Sequence, residues 1–126
     1  MFNSYPILIA AALAAAPAGA AGIDELVAEW QSRAGVTFDP AAGEKLWHAD
    51  FEGRSCGSCH GIDLTAPGRH ERTGKPIDPI APSANPDRLT DAHTVEKWLK
   101  RNCQWTLGRE CSDLEKGNLV SWLRTR

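Results

Sequence analysis

The sequence predicts an all-α domain, and three observations carry that expectation. Four segments repeat apolar residues at helical spacing, each has a recognisable start or stop residue, and no stretch alternates as a half-buried strand would. The chain has 126 residues, 42% of them apolar, which is enough for one core. Its formal net charge of -2 supplies no basic footprint, so nucleic-acid binding is not expected.

From Pro6 to Ala16 the chain is apolar, and it then runs into Pro17-Ala18-Gly19-Ala20-Ala21, small residues of the kind that precede signal-peptidase cleavage. Residues 1–21 therefore read as an export signal, although its start has no Lys or Arg. Cleavage is expected after Ala20 or Ala21, leaving a single domain over 22–126 in a bacterial periplasm. An uncleaved anchor fits less well, because the run falls short of the roughly 20 residues that span a bilayer.

Ile23, Leu26, Val27 and Trp30 follow the i, i+3, i+4, i+7 pattern of an amphipathic helix, and Gly35 is placed to end it. A second helix is expected from Asp39 as N-cap and Pro40 as first helical residue, running through Leu46 and Trp47 towards Asp50. Gly43 and Trp47 share one of its faces. From Gly61 to Asn85, Pro67, Pro76, Pro79 and Pro82 leave little room for regular structure. A loop of that length in a small domain needs a reason, and a large flat ligand to wrap is one. A third helix is expected from about Asp91, with Thr90 or Asp91 as cap, to Asn102, with Val95, Trp98 and Leu99 as its apolar stripe. The last helix opens on Ser112-Asp113-Leu114-Glu115, a capping-box pattern, and sets Leu119, Trp122 and Leu123 on one face.

Between the second and third helices stands CGSCH, residues 56 to 60. Cys56, Cys59 and His60 have the spacing of covalent c-type haem attachment: two thiols add to the vinyl groups and the next histidine ligates iron. A zinc site would need a second pair of ligands, and the gap between Cys103 and Cys111 is long for one. A thioredoxin-like pair would need a βαβ setting, which is missing. A plain disulfide between Cys56 and Cys59 would leave His60 and the long loop unexplained. Cys103 and Cys111 lie outside any such run; in an oxidising compartment they read as a disulfide, with two free thiols as the alternative.

Electron-transfer cytochromes c commonly take methionine as second axial ligand, but the chain has one methionine, Met1, and it goes with the signal. Candidates for the sixth position are Asn102, His70, His48, His93, a lysine, or no residue at all. Asn102 continues the apolar stripe of the third helix, where a polar side chain needs a partner. Its other reading is a cap just past the helix end. His70, in the long loop, ranks second. His48 and His93 read as surface residues.

Beyond the attachment run, CGSCHG (56–61), RTGKPIDPIAPSANPDRLTD (72–91), VEKWLKRNC (95–103), GREC (108–111) and EKGNLVSWL (115–123) resemble the sphaeroides haem protein (SHP) family. These are periplasmic monohaem c-type cytochromes that bind oxygen. The resemblance covers most of residues 40–125. It implies a class I cytochrome c-like fold with one covalent haem c, held through Cys56 and Cys59, and iron ligated by His60. It further implies Asn102 as a displaceable ferric ligand and a disulfide between Cys103 and Cys111. Electrons would come from other c-type cytochromes, dihaem ones among them, and a membrane cytochrome b; O2, CO or NO would bind on reduction, once Asn102 is released. An amide oxygen is a hard donor that suits ferric iron, and lack of Met/His ligation implies a low potential.

Gly43 and Trp47 facing Leu119 and Trp122 would resemble the terminal-helix crossing of class I cytochromes c, which makes those tryptophans core residues. Trp98 and Trp105 flank Asn102 and read as pocket lining. Lys97, Lys100 and Arg101 form either a solvated face or a docking surface for an acidic redox partner. Two other classes stay open: a carrier that keeps both axial ligands in both states, and an enzyme acting on O2, peroxide or NO. The enzyme would call for a distal acid-base residue, and His70 is the only loop candidate. A monomer is expected.

Overall fold

In the computed structural model, helix α1 (Ile23–Ala34) buries Leu26 and Trp30, one helical turn apart, and stops where Gly35 turns left-handed at φ 70°. These residues belong to the described part of the chain, Met1 and residues 22–126; the expected export signal and its cleavage site lie outside it. Asp39 then accepts from the Ala41 N–H at 2.9 Å and Pro40 opens helix α2 (Pro40–His48). That helix stops at His48, short of Asp50. A single helical turn, α3 (Gly57–His60), carries the attachment run.

The loop that follows is not wholly irregular. Two short strands, β1 (Gly68–Arg69) and β2 (Pro76–Ile77), pair antiparallel, with Gly68 opposite Ile77. Sequence patterning does not reveal them because two-residue strands have no period to read. The rest of the loop is pinned: Ala81 N–H donates to Leu64 O at 3.0 Å and Ser83 N–H to Arg126 O at 3.1 Å. The Arg88 guanidinium donates to the carbonyls of Pro79 (2.9 Å) and Asp78 (2.8 Å).

Helix α4 (Ala92–Leu107) starts from Asp91, whose carboxylate accepts from Thr94 N–H at 2.7 Å. It does not end at Asn102. Nothing from Cys103 to Leu107 breaks a helix, and the stop is Gly108 at φ 74°. Helix α5 (Asp113–Leu123) opens on the expected capping box, formed in both directions by Ser112 and Glu115.

Helix α5 is the central element. Its Leu119, Trp122 and Leu123 join Trp47, Leu64 and Ala81 in one buried cluster, while Val120 joins Leu26, Trp30, Ala92 and Val95 in a second. The crossing with α2 is close because Gly43 has no side chain: a Cβ there would lie 2.0 Å from the Asn118 carbonyl oxygen. The Trp47 and Trp122 rings meet beside it at 5.7 Å, so both are core residues, as expected. Asn118 is buried, and its Oδ1 accepts from Asp39 N–H at 2.7 Å, tying the start of α2 to α5.

An ion cluster joins α1 to α5. Arg33 donates to Asp113 at 2.8 and 3.2 Å, and Lys116 Nζ lies 2.9 Å from Asp113. The Arg33 hydrogen bond, helped by Lys116, holds the Asp113 carboxyl down at about 2. A depressed carboxyl pKa stabilises the fold above the unfolded value and loses that contribution as pH falls through the folded one. Asp113→Asn is therefore expected to lower thermal stability modestly at neutral pH, since Arg33 is well exposed. The gap from wild type should be full above pH 3.8 and close as pH falls through about 2. Melting curves across that range check it.

Candidate functional site

The attachment run is shaped by its local hydrogen bonds. Ser55 N–H donates to Ser58 Oγ at 3.0 Å, His60 N–H to Cys56 O at 3.2 Å, and Gly61, at φ 77°, ends the turn. Cys56 and Cys59, three apart in this helical turn, fall on one face, and both are free thiols. Strand β1 crosses directly over them, since a Cβ on Gly68 would lie 2.2 Å from Cys59 O. The Glu71 N–H also points at Cys59 Sγ, 3.4 Å away.

Behind the turn, the Trp47 ring stands 5.3 Å from the His60 ring. Burial, and then the nearby Arg88 cation, push His60 down to about 4. It is therefore neutral at physiological pH, the form that offers a lone pair to a metal. Burial above all pushes the Cys56 thiol up to about 11, so it stays protonated.

Cys56, Cys59 and His60 line one cleft, together with residues of α2, the long loop, α4 and α5. Most of its wall is apolar, with Leu46, Ile80, Leu89, Val95, Leu99 and Leu123 among the lining side chains. Helix α4 gives the same cleft Trp98, Asn102 and Trp105, at i, i+4 and i+7 on one face. The stripe expected on α4 thus splits: Val95 is buried and Leu99 partly so, while Trp98 is 46% exposed and belongs to the cleft wall. Asn102 lies five residues before the end of α4, which removes its reading as a helix cap. Next to it, Cys103 is joined to Cys111 in a disulfide with a Cα–Cα distance of 5.6 Å, so the free-thiol alternative falls.

The histidines separate cleanly. His70 is turned into the β1–β2 connection, where its Nδ1 accepts from Arg72 N–H (3.3 Å) and Thr73 N–H (3.1 Å). It does not line the cleft, whereas Asn102 does. His48 is exposed and edges onto Trp122 at 5.9 Å, and His93 is exposed on α4. Sequence reasoning missed Arg88, which lines the cleft, braces the loop and bears on His60. It also missed Leu89, which faces the cleft at φ 58°.

A helical frame around an apolar cleft, with two thiols and a neutral imidazole in the CxxCH register at its edge, defines a c-type cytochrome. The space and the donor set fit a covalently bound haem c. Comparison with known proteins agrees. Residues 33–123 match the family model described as Domain of unknown function (DUF1924). The chain is 44% identical over 123 residues to the cytochrome c-type protein SHP of Cereibacter sphaeroides, covering 92% of this chain and 95% of that one. It is 39% identical over 71 residues to cytochrome c'' of Methylophilus methylotrophus, covering 56% of this chain and 49% of that one. Oxidised SHP, described as an oxygen-binding cytochrome c, superposes with a TM-score of 0.79 at 42% identity, over 86% of this chain and all of that one. Oxidised cytochrome c'' gives 0.73 at 29%, over 82% and 94%. The chain belongs to the SHP family of c-type cytochromes. It is a monohaem cytochrome with covalent haem c and iron as its cofactor.

Proposed function

We propose that the protein is a periplasmic monohaem cytochrome that accepts an electron and then binds a diatomic ligand at the position its own Asn102 holds in the oxidised state. Cys56 and Cys59 would carry the haem, His60 would be the permanent axial ligand and Asn102 the displaceable one. Residues 1–21 would be removed on export. A haem held by these residues would supply a one-electron redox centre and, once Asn102 had left, a place for O2, CO or NO.

The observation that carries this reading is that Asn102 lines the same cleft as His60 while His70 does not. No other histidine lines the cleft, and the chain's one methionine, Met1, is not among the lining residues either. A neutral amide oxygen holds ferric iron better than ferrous, so reduction loosens Asn102. The disulfide at Cys103 tethers the neighbouring backbone to the segment before α5. Movement of the side chain, rather than of the helix, is then the simplest way for the amide to leave. O2 binding by the SHP relative fits the same role.

The test is the absorption spectrum of the purified holoprotein, oxidised and then dithionite-reduced, with and without CO. A low-spin oxidised form that turns high-spin on reduction and shifts with CO is expected. A low-spin form in both states, unmoved by CO, would leave only a simple electron carrier.

A further inference from the structure

Cations flank the two indoles that α4 gives to the cleft wall. Lys97 Nζ and Arg101 Cζ lie 5.6 and 5.4 Å from the Trp98 ring centre, and Arg54 Cζ lies 5.7 Å from that of Trp105. The two tryptophans are two turns apart on one face, about 10 Å at the helical rise. They are 46% and 38% exposed, and Asn102 stands between them. Arg54 is presented from the other side by a tight turn: Phe51 and Arg54 exchange backbone hydrogen bonds at 2.8 and 3.1 Å, and Asp50 accepts from Gly53 N–H at 2.7 Å.

The charge of these cations is uncompensated. Among the described residues, Lys97, Arg101 and Arg54 have no carboxylate within ion-pair distance, as is also true of Lys45, Arg69, Arg72, Lys75, Arg88 and Arg126; what sets the three apart is that each lies against an indole of the cleft wall. Lys100, a docking candidate from the sequence, is spent on Glu110 at 3.2 Å. Lys97 and Arg101 flank Trp98 and Arg54 flanks Trp105, and both tryptophans line the cleft, so three unpaired cations stand beside its wall in a chain of net charge -2. Trp98 and Trp105 stand among these cations, and protein interfaces are enriched in Trp and Arg.

We propose that Arg54, Trp105, Trp98, Lys97 and Arg101 form the docking surface for an acidic redox protein that reduces the haem. One electron leaves the partner's redox group, which is oxidised by one, and the ferric site is reduced by one; no bond is made or broken in the partner. The position of these residues fits this task, because a partner seated on them lies beside the wall of the cleft. The inference rests on the electron-accepting part of the proposed function.

The probe is flavodoxin hydroquinone, a small acidic one-electron donor, mixed with the oxidised holoprotein in a stopped flow. The double variant Lys97→Glu/Arg101→Glu is compared with Lys45→Glu/Lys75→Glu, which makes the same change of net charge at two exposed positions outside this surface. At about 10 mM salt, where charges act over roughly 30 Å, the first variant should be reduced at least about fivefold more slowly than wild type. The second should change by less than about twofold, and all three rates should converge near 0.5 M salt as screening removes the steering. Equal slowing in both variants, or none in the first, overturns the docking surface. CO binding by the reduced samples, read separately, tests the ligand-release reading, so the two failures are told apart. An unaltered oxidised spectrum in each variant shows that the haem and its ligands are in place.

Discussion

Replacing Asn102 by alanine is expected to change the oxidised absorption spectrum from low-spin to high-spin while leaving CO binding by the reduced protein intact. Alanine offers no lone pair, and the other side-chain oxygens that α4 gives the cleft are the hydroxyls of Thr94 and Thr106, weaker iron ligands than an amide oxygen. Because the amide favours the oxidised state, its loss should also raise the midpoint potential. Each tenfold of ferric preference removed is worth about 59 mV for a one-electron couple. Low-temperature electron paramagnetic resonance of the ferric protein reads the spin state directly. His70→Ala is the control: its ring is engaged in the turn that joins β1 to β2, so the spectrum should not move. An oxidised spectrum unchanged in the Asn102 variant would sink the assignment.

Gly43→Ala should be strongly destabilising. The added Cβ would meet the Asn118 carbonyl oxygen at 2.0 Å and the Leu119 nitrogen at 2.9 Å, both backbone atoms of a fully packed helix. Neither can rotate away, so α2 and α5 must separate and the Trp47 and Trp122 contact must loosen with them. Overpacking of this kind costs about 3 kcal/mol, or roughly 12–24 °C in the melting midpoint of a domain this size. Ala41→Gly, on the exposed side of the same helix, costs only about 1 kcal/mol by helix propensity. Thermal melts of the two variants separate a steric clash from a propensity effect. Since Trp47 also stands against His60, the Gly43 variant should show disturbed haem absorption before it unfolds.

What could be read from the sequence follows from how local each signal is. Helix starts were legible because Asp39-Pro40 and Ser112 to Glu115 act within one turn, and both caps form as expected. The crossing of α2 and α5 was legible only through its resemblance to the terminal-helix crossing of class I cytochromes c, which set Gly43 and Trp47 against Leu119 and Trp122. The attachment run was legible from spacing alone. The end of α4 was misplaced because Asn102 resembles a cap, whereas the working stop is Gly108, six residues on. Period alone puts Trp98 on the same stripe as Val95 and Leu99; its reading as pocket lining rests on its place beside Asn102, and the cleft wall is where it lies. Arg88 was invisible for a different reason: its partners are backbone carbonyls nine and ten residues earlier, which carry no side-chain signature. The same holds for Arg54 on Trp105, a pairing that exists only once the attachment turn and α4 are folded side by side.

Ligation of the oxidised protein by Asn102 opposite His60, and its release on reduction, can be seen in structures of the haem-loaded protein in both oxidation states. The Asn102 side-chain oxygen is expected at bonding distance from iron in the oxidised crystal and swung clear in the reduced one, with α4 and the Cys103–Cys111 disulfide unmoved. An Asn102 amide that stays bound in both states, or another residue on the iron in the oxidised state, would contradict it.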